Sequence, residues 1–86
     1  MAAHLVDDIG VLAGLFGIAG FAPQIVRILR ERDAHAISLK MYAATTLGFG
    51  LWVTYGLAQH NWPIVGANTL MLAMAATILA LKLRFK

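Results

Sequence analysis

A chain of 86 residues that is 60% apolar and only 13% charged is excluded as a soluble domain, because small domains bury the smallest share of their surface. The absence of cysteine removes disulfide frameworks and thiolate metal sites. The net charge of +3 does not argue for nucleic acid either, because every lysine and arginine falls in or beside the first connection or in the C-terminal tail.

Charge is segregated along the chain. Residues 9–26 and 41–81 contain no Asp, Glu, Lys or Arg, and the second stretch is broken only by the polar "QHNWP" at 59–63. A bilayer core about 30 Å thick needs roughly 20 apolar helical residues, with a lower limit of about 17. The runs 9–29, 41–58 and 63–81 meet that length. They predict an all-α membrane protein, a single unit of three transmembrane helices.

The N-terminal "MAAHLVDD" has two acids and no basic residue, unlike the basic start of a cleaved signal peptide. Asp7 and Asp8 are expected to cap helix 1, with their charge at its positive end. Gly10 and Gly14, with Ala13 and Gly17 at the same spacing one face around, suit close helix approach in lipid. Glycine and alanine are also common in membrane helices, so no single pair decides this. Pro23 removes the hydrogen bond to the Ala19 carbonyl and is expected to bend the helix about 9 Å from its charged end. Gln24 beside it brings an amide that can bond a neighbouring helix. From the dipeptide alone, a static kink and a moving hinge are equally good readings.

The polar "RERDAHAI" leads to Ser38, which is expected to cap helix 2. Within that helix Gly48, Trp52, Tyr55 and Gln59 follow at steps of four, three and four, which sets them on one stripe. Trp52 lies about 9 Å below the outer end, too deep for an interfacial tryptophan. Tyr42 and Trp62 read as interfacial anchors. Asn61 and Pro63 turn the chain into helix 3, with proline at an early position where a missing N–H does little harm. Asn68 follows about 8 Å into that helix, at nearly the depth of Trp52.

An asparagine facing lipid leaves its amide unpaired, so Asn68 is expected to face the protein interior or a wet cavity. An indole face and a carboxamide together suit a sugar, with its apolar C–H faces and rim of hydroxyls. The plainer alternative is that Trp52 packs and Asn68 ties helices together. Thr45, Thr46, Thr54, Thr69 and Thr77 can bond back to their own helix and need no role. His4, His35 and His60 lie outside the spans with no ligand-like spacing, so no metal is expected. No nucleophile sits beside a base and no phosphate loop is present, so neither an enzyme nor a cofactor is expected.

Arg27, Arg30, Arg32 and Lys40 flank the first connection, and Lys82, Arg84 and Lys86 form the tail. Short loops rich in lysine and arginine stay cytoplasmic. The N-terminus and the 59–62 loop are therefore expected outside, and the first loop and C-terminus inside, in a multi-pass protein of the cell (inner) membrane.

"FAPQ" in helix 1, "AISLKMY" entering helix 2, "LGFGLWVTYG" within it and "WPIVGAN" entering helix 3 together resemble the bacterial SemiSWEET sugar transporters of the PQ-loop group. The resemblance runs from about residue 9 to 84 without gaps. It implies a three-helix bundle that dimerises in parallel around a twofold axis along the membrane normal, an arrangement known among transporter repeats. It implies sugar binding at Trp52 and Asn68, a hinge at Pro23 and Gln24, an outer gate at Tyr55 and an inner gate near Met41. Relatives often carry an arginine and an aspartate where this chain has Gln59 and Asn61. The outer latch is thus expected to use neutral hydrogen bonds and to depend little on salt.

Three helices are too few to enclose a sugar path, which also argues for a C2 homodimer. No Asp, Glu, Lys or Arg and only His60 occurs between 41 and 81, and coupled carriers usually keep an ionisable group in the membrane. Facilitated diffusion of a mono- or disaccharide, of the glucose or sucrose class, is the expected activity. The partners are the second copy and membrane lipid. Two other readings stay open: a structural membrane subunit of a larger complex, and a PQ-loop carrier of another solute such as an amino acid.

Overall fold

A computed structural model describes residues 2–86, apart from the side chains of Ala2, Ala3, His4 and Val6. It contains three helices: α1, Ala2–Glu31; α2, Leu39–Ala58; and α3, Trp62–Phe85. The backbones of α1 and α2 both pack on α3 and not on each other, so the spatial order is α1–α3–α2. The bundle is 46 Å in its longest dimension, about the length of a 30-residue helix.

The helices outrun the apolar segments at both ends of the chain. Helix α1 starts at Ala2, and its first turn holds no acidic residue. This corrects the expectation that Asp7 and Asp8 cap it. They sit inside the helix, exposed, because alanine and leucine upstream are good helix formers and an exposed carboxylate costs the helix little. At the other extreme α3 runs on to Phe85, carrying Lys82 and Arg84 in its last turn, where positive charge favours the helix dipole.

The connections follow local chemistry. Arg32 adopts a left-handed φ of 52° just past α1, and the Asp33 carboxylate accepts the His35 N–H at 2.8 Å. Ser38 Oγ accepts the Met41 N–H at 3.2 Å, the expected cap. Helix α2 ends where the N–H of His60 donates to the Leu57 carbonyl and that of Asn61 to the Gly56 carbonyl. That pair of bonds is the Schellman arrangement, with His60 at φ 54°. Asn61 Oδ1 then accepts the Ile64 N–H, and Pro63 falls in the first turn of α3, both as expected.

The apolar core lies toward the end of the bundle that carries the 32–38 connection. Ile28, Ala34, Tyr42, Ala75 and Ile78 are buried there, with Phe21, Ile25, Ile37, Phe49, Leu79, Leu81 and Phe85 packed around them. Lys82 Nζ donates to the Ala34 carbonyl at 3.0 Å, fastening the connection to the end of α3. The first connection and the tail, which between them hold or adjoin all the basic residues, thus share one end. Near the other end the helices meet over small residues. A Cβ on Gly10 would lie 3.3 Å from Pro63 Cβ, and one on Gly56 would lie 2.9 Å from both Ile64 Cγ2 and Val65 Cγ2.

Two helices, 7–31 and 62–85, are long and apolar enough to cross a membrane. Helix α2 falls short of the same hydropathy. Its threonines, tyrosines and tryptophan dilute the aliphatic residues, although its 20 residues reach about 30 Å.

Candidate functional site

The Pro-Gln pair is where α1 meets α2. Helix α1 continues through Pro23, which is exposed, while Gln24 is half-buried. Gln24 Nε2 donates to the Gly20 carbonyl at 3.2 Å, and Gln24 Oε1 accepts the Tyr42 hydroxyl at 2.5 Å. The expected bond to a neighbouring helix is therefore present. The carbonyl held is that of Gly20, however, one residue beyond the Ala19 carbonyl that Pro23 leaves without its usual donor.

Tyr42 overturns a sequence expectation. Read as an interfacial anchor, it is only 3% exposed, with its ring 6.2 Å from that of Phe21, which in turn meets Phe49 edge-on at 6.2 Å. Its place next to the charged connection concealed this. The available signal was Gln24 itself, an amide below the membrane surface that needs a partner on another helix. Trp62, by contrast, is 62% exposed, as suits an anchor.

The stripe on α2 faces outward from the protomer. Trp52 and Tyr55 are 52% and 51% exposed, and their rings meet edge to face at 5.6 Å. With Gly48 and Leu51 they line an open hollow of about 500 Å³. Edge-to-face contact holds the indole at a set angle, while the glycine one turn away leaves the ring face uncovered.

Asn68 lines a different hollow, of about 330 Å³, with Gly14, Gly17, Phe21, Phe49, Ala67 and Met71 among its neighbours. It is half-buried. Its Nδ2 donates to the Ile64 carbonyl of its own helix at 2.9 Å, so this bond does not tie one helix to another. One of the amide's hydrogen-bonding positions is used in this way, and the oxygen faces no such demand. Gly17 shapes the floor, since a Cβ there would run into Met71 Sδ, whereas one on Gly14 would meet nothing within 4 Å. Within one protomer, Trp52 and Asn68 thus line separate hollows. The two have no lining residue in common; Gly48 of α2 borders one and Phe49 the other.

The remaining expected site residues lie near the ends. Met41 is exposed in the first turn of α2. Gln59 is the exposed C-cap of α2, while Asn61 is occupied in capping α3. Thr46, Thr54 and Thr77 bond back to the carbonyls of Tyr42, Gly50 and Ala73, as expected. Among the described residues no group of His, Asp or Glu is arranged to hold a metal ion; the His4 side chain lies outside them.

Known proteins share this fold. The PQ loop repeat family model matches residues 8–65. A sugar transporter SemiSWEET of Bradyrhizobium diazoefficiens is 35% identical over 99% of both chains. The crystal structure of a bacterial homologue of SWEET transporters superposes with a TM-score of 0.87 at 29% identity, covering 95% of this chain and 99% of that one. A SemiSWEET crystallised in the inward-open conformation gives 0.80 at 30% identity, over 94% of this chain and 87% of that one. A Pro-Gln pair tied to its neighbouring helix, on a three-helix unit matched along nearly its whole length, has one reading: the chain belongs to the PQ-loop family, among the SemiSWEETs.

Proposed function

We propose that two copies of this chain form a parallel homodimer that carries a small sugar across the cell membrane, down its gradient, by alternating access. The observation that carries the reading is the open Trp52–Tyr55 stripe. It puts two aromatic rings, each about half exposed, on one side of a helix that must otherwise face lipid. In this reading a twofold axis brings two copies of the stripe, and of the Asn68 hollow, around one cavity. The hollows of about 500 Å³ and 330 Å³ are in the size range of small-ligand sites. The relatives' name, sugar transporter, accords with that chemistry.

In this reading all three helices span the bilayer, with the basic end in the cytoplasm. Helix α2 tolerates its lower hydropathy because its aromatic stripe faces the route and not the acyl chains. Trp52 covers the C–H face of the sugar, and Asn68 bonds its hydroxyls. Bending at Pro23, with Gln24, parts the inner ends near Met41 while Tyr55, Gln59 and Asn61 close the outer mouth. With no ionisable group at membrane depth in α2 or α3, transport is uncoupled.

Counterflow of radiolabelled glucose and sucrose in proteoliposomes tests the proposal. The wild type is expected to accumulate label of at least one sugar, and Asn68→Ala to lose most of it while remaining folded. A protonophore is expected to leave the signal intact. Absence of counterflow with either sugar, or competition by amino acids instead, would overturn the sugar reading.

A further inference from the structure

Among the described residues, the Tyr42–Gln24 hydrogen bond is the only side-chain bond that joins one helix to another. It falls at the residue following the proline. Gln24, next to the proline, bonds in two directions: its Nε2 donates to the Gly20 carbonyl of its own helix, and its Oε1 accepts from Tyr42 of α2. The Gly20 carbonyl can only accept, so the amide nitrogen must face it. The amide oxygen then faces Tyr42, whose hydroxyl must donate. Without that hydroxyl the amide is bonded only within its own helix, and the link between α1 and α2 is reduced to apolar contacts such as those of Phe21 with Tyr42 and Phe49.

From this geometry we infer that Tyr42 is a positioning residue for transport: its hydroxyl ties the Gln24 amide, next to Pro23, to α2 and so biases the balance between the two access states. The inference rests on the bending proposed above and adds the residue that regulates it. Tyr42 touches neither hollow, so its effect is on the conformational equilibrium and not on sugar contact. A bond present in one bend angle and stretched in the other favours the first by its own strength. Interhelical bonds in membranes average about 0.6 kcal/mol, a factor of about three in that equilibrium.

The chain has no cysteine, so His35→Cys, at an exposed position of the 32–38 connection, supplies a unique spin-label site at the proposed inner end. In lipid nanodiscs, the distance between labels on the two protomers reports the states of the dimer. Wild type is expected to show two populations. Tyr42→Phe and Gln24→Leu should each change their ratio about threefold in the same direction. The double variant should match either single one, because both remove one bond. Sugar counterflow should slow in Tyr42→Phe with little change in the concentration giving half-maximal rate.

An unchanged ratio in Tyr42→Phe, or shifts that add in the double variant, overturns the inference. Should Tyr42→Phe not elute as the wild-type dimer, Gln24→Leu against Gln24→Asn decides the same question, because asparagine keeps the amide but shortens its reach. Only the leucine change and the asparagine change shifting the ratio alike would support the clasp; a normal ratio in both would end it. If the transport reading itself fails, the wild type shows neither counterflow nor a second population, an outcome distinct from these.

Discussion

The two ends of the bundle are built by different rules. At the basic end, Ile28, Ala34, Tyr42, Ala75 and Ile78 form a closed core, and Lys82 pins the connection to α3. At the opposite end the helices touch through glycine and proline. There, a groove of about 360 Å³ opens between α1 and α3 beside Gly10, Gly14, Pro63 and Gly66. The first end has the packing of a unit that keeps its shape inside one protomer. The second has surfaces still unsatisfied, as a unit completed by a second copy and by lipid requires. Since lipid tails are as apolar as leucine, burial alone cannot hold membrane helices together, and close packing must. The core end is therefore expected to contribute most to the stability of the protomer.

Substitutions can break or sharpen that contrast. The largest effect is expected at Ile78, which is fully buried: Ile78→Ala leaves a cavity and should cost about 2–5 kcal/mol in denaturant unfolding from mixed micelles. At the stripe, Trp52→Ala should reduce sugar counterflow more than tenfold, equivalent to about 1.4 kcal/mol, with little change in unfolding. The exception that sharpens the comparison is Gly56, near the glycine-lined end yet tightly packed. Gly56→Ala presses on Ile64, Val65 and the Val65 backbone and should cost about 1–3 kcal/mol. Gly50→Ala meets nothing within 4 Å and should not destabilise.

Smaller effects belong to the turns. Ser38→Ala loses the cap on α2 and should cost about 1 kcal/mol. His60→Gly relieves a left-handed residue at the end of α2 and should gain up to about 1 kcal/mol. Transport should change least with ionic strength, because Gln59 and Asn61, at the proposed outer mouth, carry no charge. A steep loss between low and high salt would show that charged groups hold that gate after all.

Much of the fold was legible because solvent imposes it. Long uncharged runs specify helices, and Ser38, Asn61 and Pro63 carry their turn chemistry in their own side chains. Helix ends were less legible: hydropathy reports the part suited to lipid, whereas hydrogen bonding continues through Asp7 and Asp8 and through Lys82 and Arg84. The order α1–α3–α2 was not readable at all, since it depends on which small residues meet. The candidate site divides likewise. Depth singled out Trp52 and Asn68; the protomer leaves the first exposed and bonds the second to its own helix. Tyr42 was missed because proximity to a charged loop resembles an interface, while its burial depends on Phe21 and Gln24 from a distant part of the chain.

Mixed dimers test most directly whether two copies share one sugar site. Co-expression with two affinity tags isolates dimers with one wild-type protomer and one carrying Trp52→Ala with Asn68→Ala. A shared site predicts counterflow far below half that of the wild-type dimer. Flux at half the wild-type value, from protomers that each carry sugar alone, would contradict the account.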